Sequence, residues 1–306
     1  KTFHFAKIRA GESIFLTRGG LIHSPGGRAF YAASWCNDQV EYAGPHFAFT
    51  GDATAIEASM NAYRHYMPFM SPEYKAIPSS VIAEGFDIWE GRGDRGDAAM
   101  YAYGASRFAL TSGRRDLAIE LWPAIEWCLE YCRRQLNSHG VVSSDTDELE
   151  ERLPSGNANL CTSSLYYQAL NSASYLASEF GLEETRKKYL SQAEKLAADI
   201  ELFFGRNMRG FETYRYYEGN EILRSWICIP LCMGIMKRAE GTLAAMFSPY
   251  LWTENGMLSQ EGDKIFWDRS TLYGLRGAFL AGDAERAFQH LRSYSAKRLL
   301  GEHVPY

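Results

Sequence analysis

Four stretches of the chain gather carboxylates, amides and tryptophans where no apolar period runs. The first lies between Tyr31 and Pro45 and holds Trp35, Asn37, Asp38, Gln39, Glu41 and Tyr42. An indole face covers the apolar side of a pyranose while amides and carboxylates take its hydroxyls, so this mixture suits sugar recognition. The competing reading is a capped helix start, with Asn37 or Asp38 bonding backbone amides and Trp35 packed beneath. The second stretch threads Asp87, Trp89, Glu90, Arg92, Asp94, Arg95 and Asp97 among glycines, which let backbone approach a ligand closely. There Asp97 is alternatively a helix cap, and Asp94 with Arg95 a surface ion pair.

The third stretch packs Asp145, Asp147, Glu148, Glu150 and Glu151 into seven positions. A solvated acidic loop accounts for most of such a run. Crowded carboxylates also raise the pKa of at least one of them, which a general acid working near neutral pH needs. Glu148, and after it Glu150, are the expected acids. The fourth stretch, Gln260 to Arg269, ends with Trp267 beside Asp268 and Arg269. Asp268 is read as a cap for the following helix or as a group that orients water or holds a sugar hydroxyl. Tyr214 to Glu218 is a weaker aromatic candidate.

These groups need a frame, and the pattern between them is helical. Leu117, Leu121, Ile125, Cys128, Cys132 and Leu136 form one apolar stripe, Leu165 to Phe180 a second, and Tyr189 to Phe203 a third. Further helices are expected at about 52–67, 97–112, 219–237, 269–281 and 283–299, with a poorly defined one near 38–50. An extended segment is expected to open the chain at about 1–34. Tight turns around Gly113, Gly181 and Gly282 place glycine at one helix end and an acid at the start of the next, which joins antiparallel neighbours. The stretches at 85–96, 138–160, 205–219 and 253–268 are long, and long loops in a compact domain usually carry function. Short links on one side and long links on the other describe an all-α toroid or a solenoid; no repeat period supports the solenoid. The long loops, and with them the acids and tryptophans, are expected at one end of a single domain spanning 1–306.

Composition removes several alternatives. Thirty-two Lys and Arg against thirty-seven Asp and Glu give a net charge of −5, and without a basic stripe nucleic acid is not an expected partner. No apolar run approaches the length of a membrane span. The seven His lack ligand spacing, so no metal is expected, and nucleotide-binding and nucleophile-elbow motifs are missing, so no cofactor is called for. Six Cys, two pairs of them spaced i, i+4, read as buried thiols and favour the cytoplasm. The chain opens at Lys1 without an initiator Met, so a removed leader, with a periplasmic location, and further domains of a longer chain stay open.

The run Asp38-Gln39-Val40-Glu41-Tyr42-Ala43-Gly44 is similar to the E-Q-L-Q-Y-x-G stretch of bacterial α-L-rhamnosidases, members of the six-hairpin glycosidase superfamily. Gly96-Asp97 leading to Leu121-Trp122-Pro123, and Leu165-Tyr166-Tyr167-Gln168-Ala169-Leu170, resemble their second hairpin and an inner helix. The resemblance covers almost the whole chain. It implies an (α/α)6 toroid, here counted short of six hairpins, and hydrolysis of a glycoside with inversion at the non-reducing end. It also implies substrate contact for Asp38 and the general acid at Glu148 or Glu150. The base is expected beyond Tyr306, or else at Asp268 or Asp38. Glu41, Asp97, Asn37, Asp94, Arg95 and Arg269 would hold hydroxyls, with Trp35, Trp89 and Trp267 as walls. Alternatives left open are a non-catalytic scaffold that binds a protein or glycan, and a phosphorylase on the same fold with phosphate at Arg92 and Arg95.

Overall fold

The computed structural model describes residues 2–24, 32–89, 96–147 and 153–299. Two kinds of helix alternate along it. Helix α4 (Asp97–Ser112) buries twelve of its sixteen residues and α6 (Leu160–Glu179) fourteen of twenty. By contrast α7 (Glu183–Phe204) buries only six of twenty-two along one stripe. A helix buried all round is an inner one, and a helix with a single apolar stripe covers it from outside. The inner row is α2 (Gly44–Thr50), α4, α6, the short α8 (Ile229–Cys232) and α10 (Asp268–Leu280), each packed on the next. Outside them lie α3 (Ala53–Tyr66), α5 (Arg115–Arg134), α7, α9 (Ala239–Met246) and α11 (Ala284–Leu299). This is an all-α toroid of inner and outer helices, with α2 and α10 at the two ends of the inner row.

The links follow the same alternation. Inner helices α4, α6 and α10 pass to their outer partners through two or three residues, with Gly113, Gly181 and Gly282 in the left-handed region where other residues are strained. Every passage from an outer helix to the next inner one is long. These long passages hydrogen-bond to one another: Leu160 N–H donates to the Tyr216 carbonyl, and Ser225 N–H to the Ser259 carbonyl. Isolated bridges join Asn159 to Tyr217 and Arg224 to Gln260. The long connections therefore meet at the N-terminal ends of the inner helices, where the site residues collect.

Among the described residues, four short antiparallel strand pairs decorate this frame, including β1 (Ile14–Thr17) with β2 (Gly20–His23) and β3 (Ala33–Trp35) with β4 (Ser80–Ile82). Two expectations are corrected. The opening segment is not simply extended, because α1 (Thr2–Glu12) precedes the β1–β2 hairpin; the stretch from Ala6 to Ala10 contains ordinary helix formers and no breaker before Gly11. The helix expected at 219–237 shrinks to a 3₁₀ turn at Ser225–Cys228 followed by α8. Gly219 and Gly234 adopt positive φ on either side of it, and Pro230 withholds an N–H, so it fits only the first turn. All six thiols are buried and no disulfide joins them. No helix among the described residues is long and apolar enough to cross a bilayer.

Candidate active site at the mouth of the toroid

The segment before α2 winds as a π-helical turn, Cys36–Ala43, with the Gly44 N–H reaching back to the Gln39 carbonyl. Local contacts hold it. Gln39 accepts the Trp35 N–H at 2.5 Å, and Asn37 Oδ1 accepts the N–H of Asp38 at 2.8 Å. The Tyr63 hydroxyl donates to the Val40 carbonyl at 2.9 Å. Gly104 of α4 lets the turn come close, since a Cβ there would stand 2.0 Å from the Val40 oxygen. The result aims Asp38 and Glu41 at α10. Arg269 donates to Asp38 at 2.8 Å, and the Tyr273 hydroxyl donates to Glu41 Oε1 at 2.7 Å.

Aromatic faces surround both pairs. The Arg269 guanidinium lies 5.0 Å from the Tyr42 ring and 5.2 Å from Trp267, and Tyr42 meets Tyr273 edge-on at 5.6 Å. Arg276, one turn along α10, donates to the Tyr103 hydroxyl at 2.6 Å. A cavity of about 560 Å³ opens here between α2, α4 and α10, lined by Asp38, Glu41 and Tyr42 together with Arg107, Arg269, Tyr273 and Arg276. Its size is that of a small-ligand pocket.

Asp97, at the first turn of α4, is 4 % exposed. It is not the cap, a place taken by Gly96 in the left-handed region; its backbone carbonyl accepts from Cys36 Sγ at 3.4 Å. Burial pushes the Cys36 thiol well up, and the nearby carboxylates of Asp97 and Glu41 add to the shift. Cys36 is thus held as a neutral thiol beside two acids of the first two inner elements.

The remaining candidates part company. Trp35 is buried under the turn, paired through β3 with Ser80, and Trp89 donates its backbone N–H to the same Ser80 carbonyl at 3.2 Å. The Trp89 indole N–H is buried without an acceptor among the described residues. Asp268 is exposed at the start of α10 and accepts from the hydroxyl of Tyr294 on outer helix α11, away from the lining of the cavity. Glu148, Glu150, Asp94 and Arg95 lie outside the described residues, as do Glu90, Arg92 and Glu151.

Three polar groups were not singled out by the sequence. Asp147 was passed over for its neighbours in the acidic run, yet it is 1 % exposed and accepts from the Tyr216 hydroxyl. Arg224 is 2 % exposed at the head of the turn leading to α8; it fell inside an expected helix, where a lone arginine carries no signal. Tyr273 was hidden in the apolar period of α10. Among the described residues, no group of three or more His, Cys, Asp or Glu could hold a metal ion.

No family model matches the chain, and no curated protein matches it. Solved structures do. The chain superposes on a glycosidase with a TM-score of 0.73 at 14 % identity, covering 97 % of this chain and 82 % of that one. A rhamnosidase from Klebsiella oxytoca with rhamnose bound gives 0.65 at 12 % identity over 86 % of this chain, which spans about half (49 %) of the rhamnosidase. A sialidase gives 0.72 at 12 % over 96 % of this chain and 29 % of its own length. The fold is therefore the (α/α) toroid of these glycosidases.

Proposed function

We propose that the chain is a glycoside hydrolase, acting with inversion at the non-reducing end of a glycoside. The observation that carries this reading is the meeting of Asp38 and Glu41 with Arg269 and Tyr273 in a cavity between α2, α4 and α10, walled in part by Tyr42, Tyr103 and Tyr273. The fold shared with glycosidases supports it.

In an inverting reaction one carboxylic acid protonates the glycosidic oxygen as the bond to the anomeric carbon breaks. A carboxylate on the opposite face takes a proton from the water that attacks that carbon, the two carboxyl groups standing roughly 6.5–9.5 Å apart. Asp38 suits the second role, since the Arg269 guanidinium at 2.8 Å holds its carboxyl group at the wall of the cavity. Glu148 is assigned the first, with Glu150 the alternative; the neighbouring Asp147, buried and holding the Tyr216 hydroxyl, supports a working role for this run. Glu41, Asp97, Asn37, Asp94 and Arg95 would hold hydroxyls, and Tyr42 and Trp267 would cover a sugar face. Turnover of a panel of aryl glycosides tests the reading. Release of the sugar with inverted configuration is expected, and retention of configuration would sink the assignment of roles.

A further inference from the structure

Arg224 presents an unusual account of its own charge. It stands where three long connections meet, bridged through its backbone to Gln260 and followed by Ser225, whose N–H donates to the Ser259 carbonyl. Its side chain is 2 % exposed. Nη2 donates to the Pro154 carbonyl at 2.9 Å, and the guanidinium carbon lies 5.7 Å from the rings of both Tyr216 and Tyr217. Nε and Nη1 are buried without a hydrogen-bond partner among the described residues. Those two nitrogens carry three N–H bonds. Among the described residues no carboxylate pairs with Arg224. Asp147 takes the hydroxyl of Tyr216, and Glu261, whose carboxylate accepts the Leu223 N–H, pairs with Arg209.

A buried cation is ordinarily paired, because withdrawing it from water is costly and only a counter-ion with good geometry offsets that cost. Two tyrosine faces offset part of it, yet they leave the in-plane donors idle. A guanidinium fixed from two sides with donors to spare is a receptor for a planar anion, because carboxylates are bound best by such preorganised N–H groups. Orphaned donors are also most costly when nothing fills them, so the arrangement is explained by an occupant that arrives later.

We infer that Arg224 binds a carboxylate of the substrate, so that the chain acts on acidic glycosides, the carboxylate belonging either to the sugar or to its aglycone. The inference rests on the glycosidase reading above. It assigns the substrate class that the Asp38 cavity alone leaves open. Tyr217 is the more exposed of the two rings, so it is the side chain that yields when the anion reaches Nε and Nη1.

The test uses the intact chain with matched 4-nitrophenyl glycosides, glucoside against glucuronide and galactoside against galacturonide, and with neutral glycosides of 4-hydroxybenzoate. At one configuration, kcat/KM should favour the acidic member by about 100-fold, the scale of a desolvated charge pair. A preference within the matched pairs places the carboxylate on the sugar; a preference for the hydroxybenzoate glycoside over the nitrophenyl one places it on the aglycone. Arg224→Gln should collapse that ratio, and Arg224→Lys should keep part of it. A merely structural arginine would lower the melting temperature and leave the ratio unmoved, which overturns the inference, as does a wild-type chain indifferent to the carboxylate. Should Arg224→Gln not fold, the Lys variant is read on the same ratio. Should no glycoside turn over, the hydrolase reading fails by itself, and thermal-shift titration judges Arg224 separately. Stabilisation by sodium glucuronate or galacturonate but not by the neutral sugars, weakened in the Lys variant, supports the anion site; an equal response to acidic and neutral sugars, or none, overturns it.

Discussion

Asp38 and Arg269 stand 231 positions apart in the chain and 2.8 Å apart in space. Their pair joins the element before the first inner helix to the start of the last one, with side chains 23 % and 20 % exposed. Replacing Arg269 by Met takes this guanidinium away from Asp38 in a partly buried place. The expected cost is about 1–2 kcal/mol, between the surface and fully buried limits. Denaturant unfolding of Arg269→Met, Asp38→Asn and the double variant should give a favourable coupling energy; strict additivity would mean that the pair contributes nothing.

Glu148→Gln is expected to lower kcat on a cognate glycoside by roughly 10²–10⁴-fold, the range a general acid supplies, while KM changes little. Glu150→Gln is the control. If the loss follows Glu150 instead, the acid is the later residue of the run.

Gly104→Ala tests how the site is held up. The added methyl would meet the Val40 carbonyl at 2.0 Å, a backbone atom that cannot rotate aside. A loss of about 1–3 kcal/mol is expected from overpacking of this kind, with activity falling further than stability because the turn carrying Asp38 and Glu41 must shift. A variant as stable and active as the parent would place the turn further from α4.

The acid side of the stability profile should report His23. Burial, and after it the neighbouring His46, pulls this imidazole down to about 4, below the ordinary value of about 6.5. The unfolded chain then binds a proton that the folded chain refuses between those two values. Stability therefore falls as pH drops from about 6.5 to about 4, by roughly 3 kcal/mol across the window, and levels off below it. Urea unfolding at a series of pH values should show this limb, and His23→Gln should flatten it.

The inner and outer helices were legible because their stripes are long: α3, α4, α10 and α11 begin and end within a residue or so of the expected limits. The stripe through Leu136 overran, since α5 stops at Arg134 and Leu136 turns to bridge Val142. Asp38, Glu41, Trp267 and Arg269 were readable as candidates because each sits off the apolar period. Their pairing was not, because nothing local in the sequence specifies a contact between residues more than 200 positions apart. Arg224 and Tyr273 were invisible for the opposite reason. Each occupies a position that a helical pattern explains without help; burial and its unpartnered nitrogens mark Arg224, and the contact with Glu41 marks Tyr273.

The π-helical turn at Cys36–Ala43 carries a further consequence. A π turn holds one residue more than an α-helix of the same span and survives where something compensates for its poorer bonding. Removing a single residue between 36 and 43 would let the segment rewind as ordinary helix and swing Asp38 and Glu41 off their present bearing toward Arg269 and Tyr273. The site is specified by the length of this segment as much as by its side chains, so a one-codon deletion there could disarm the protein while making its helix more regular.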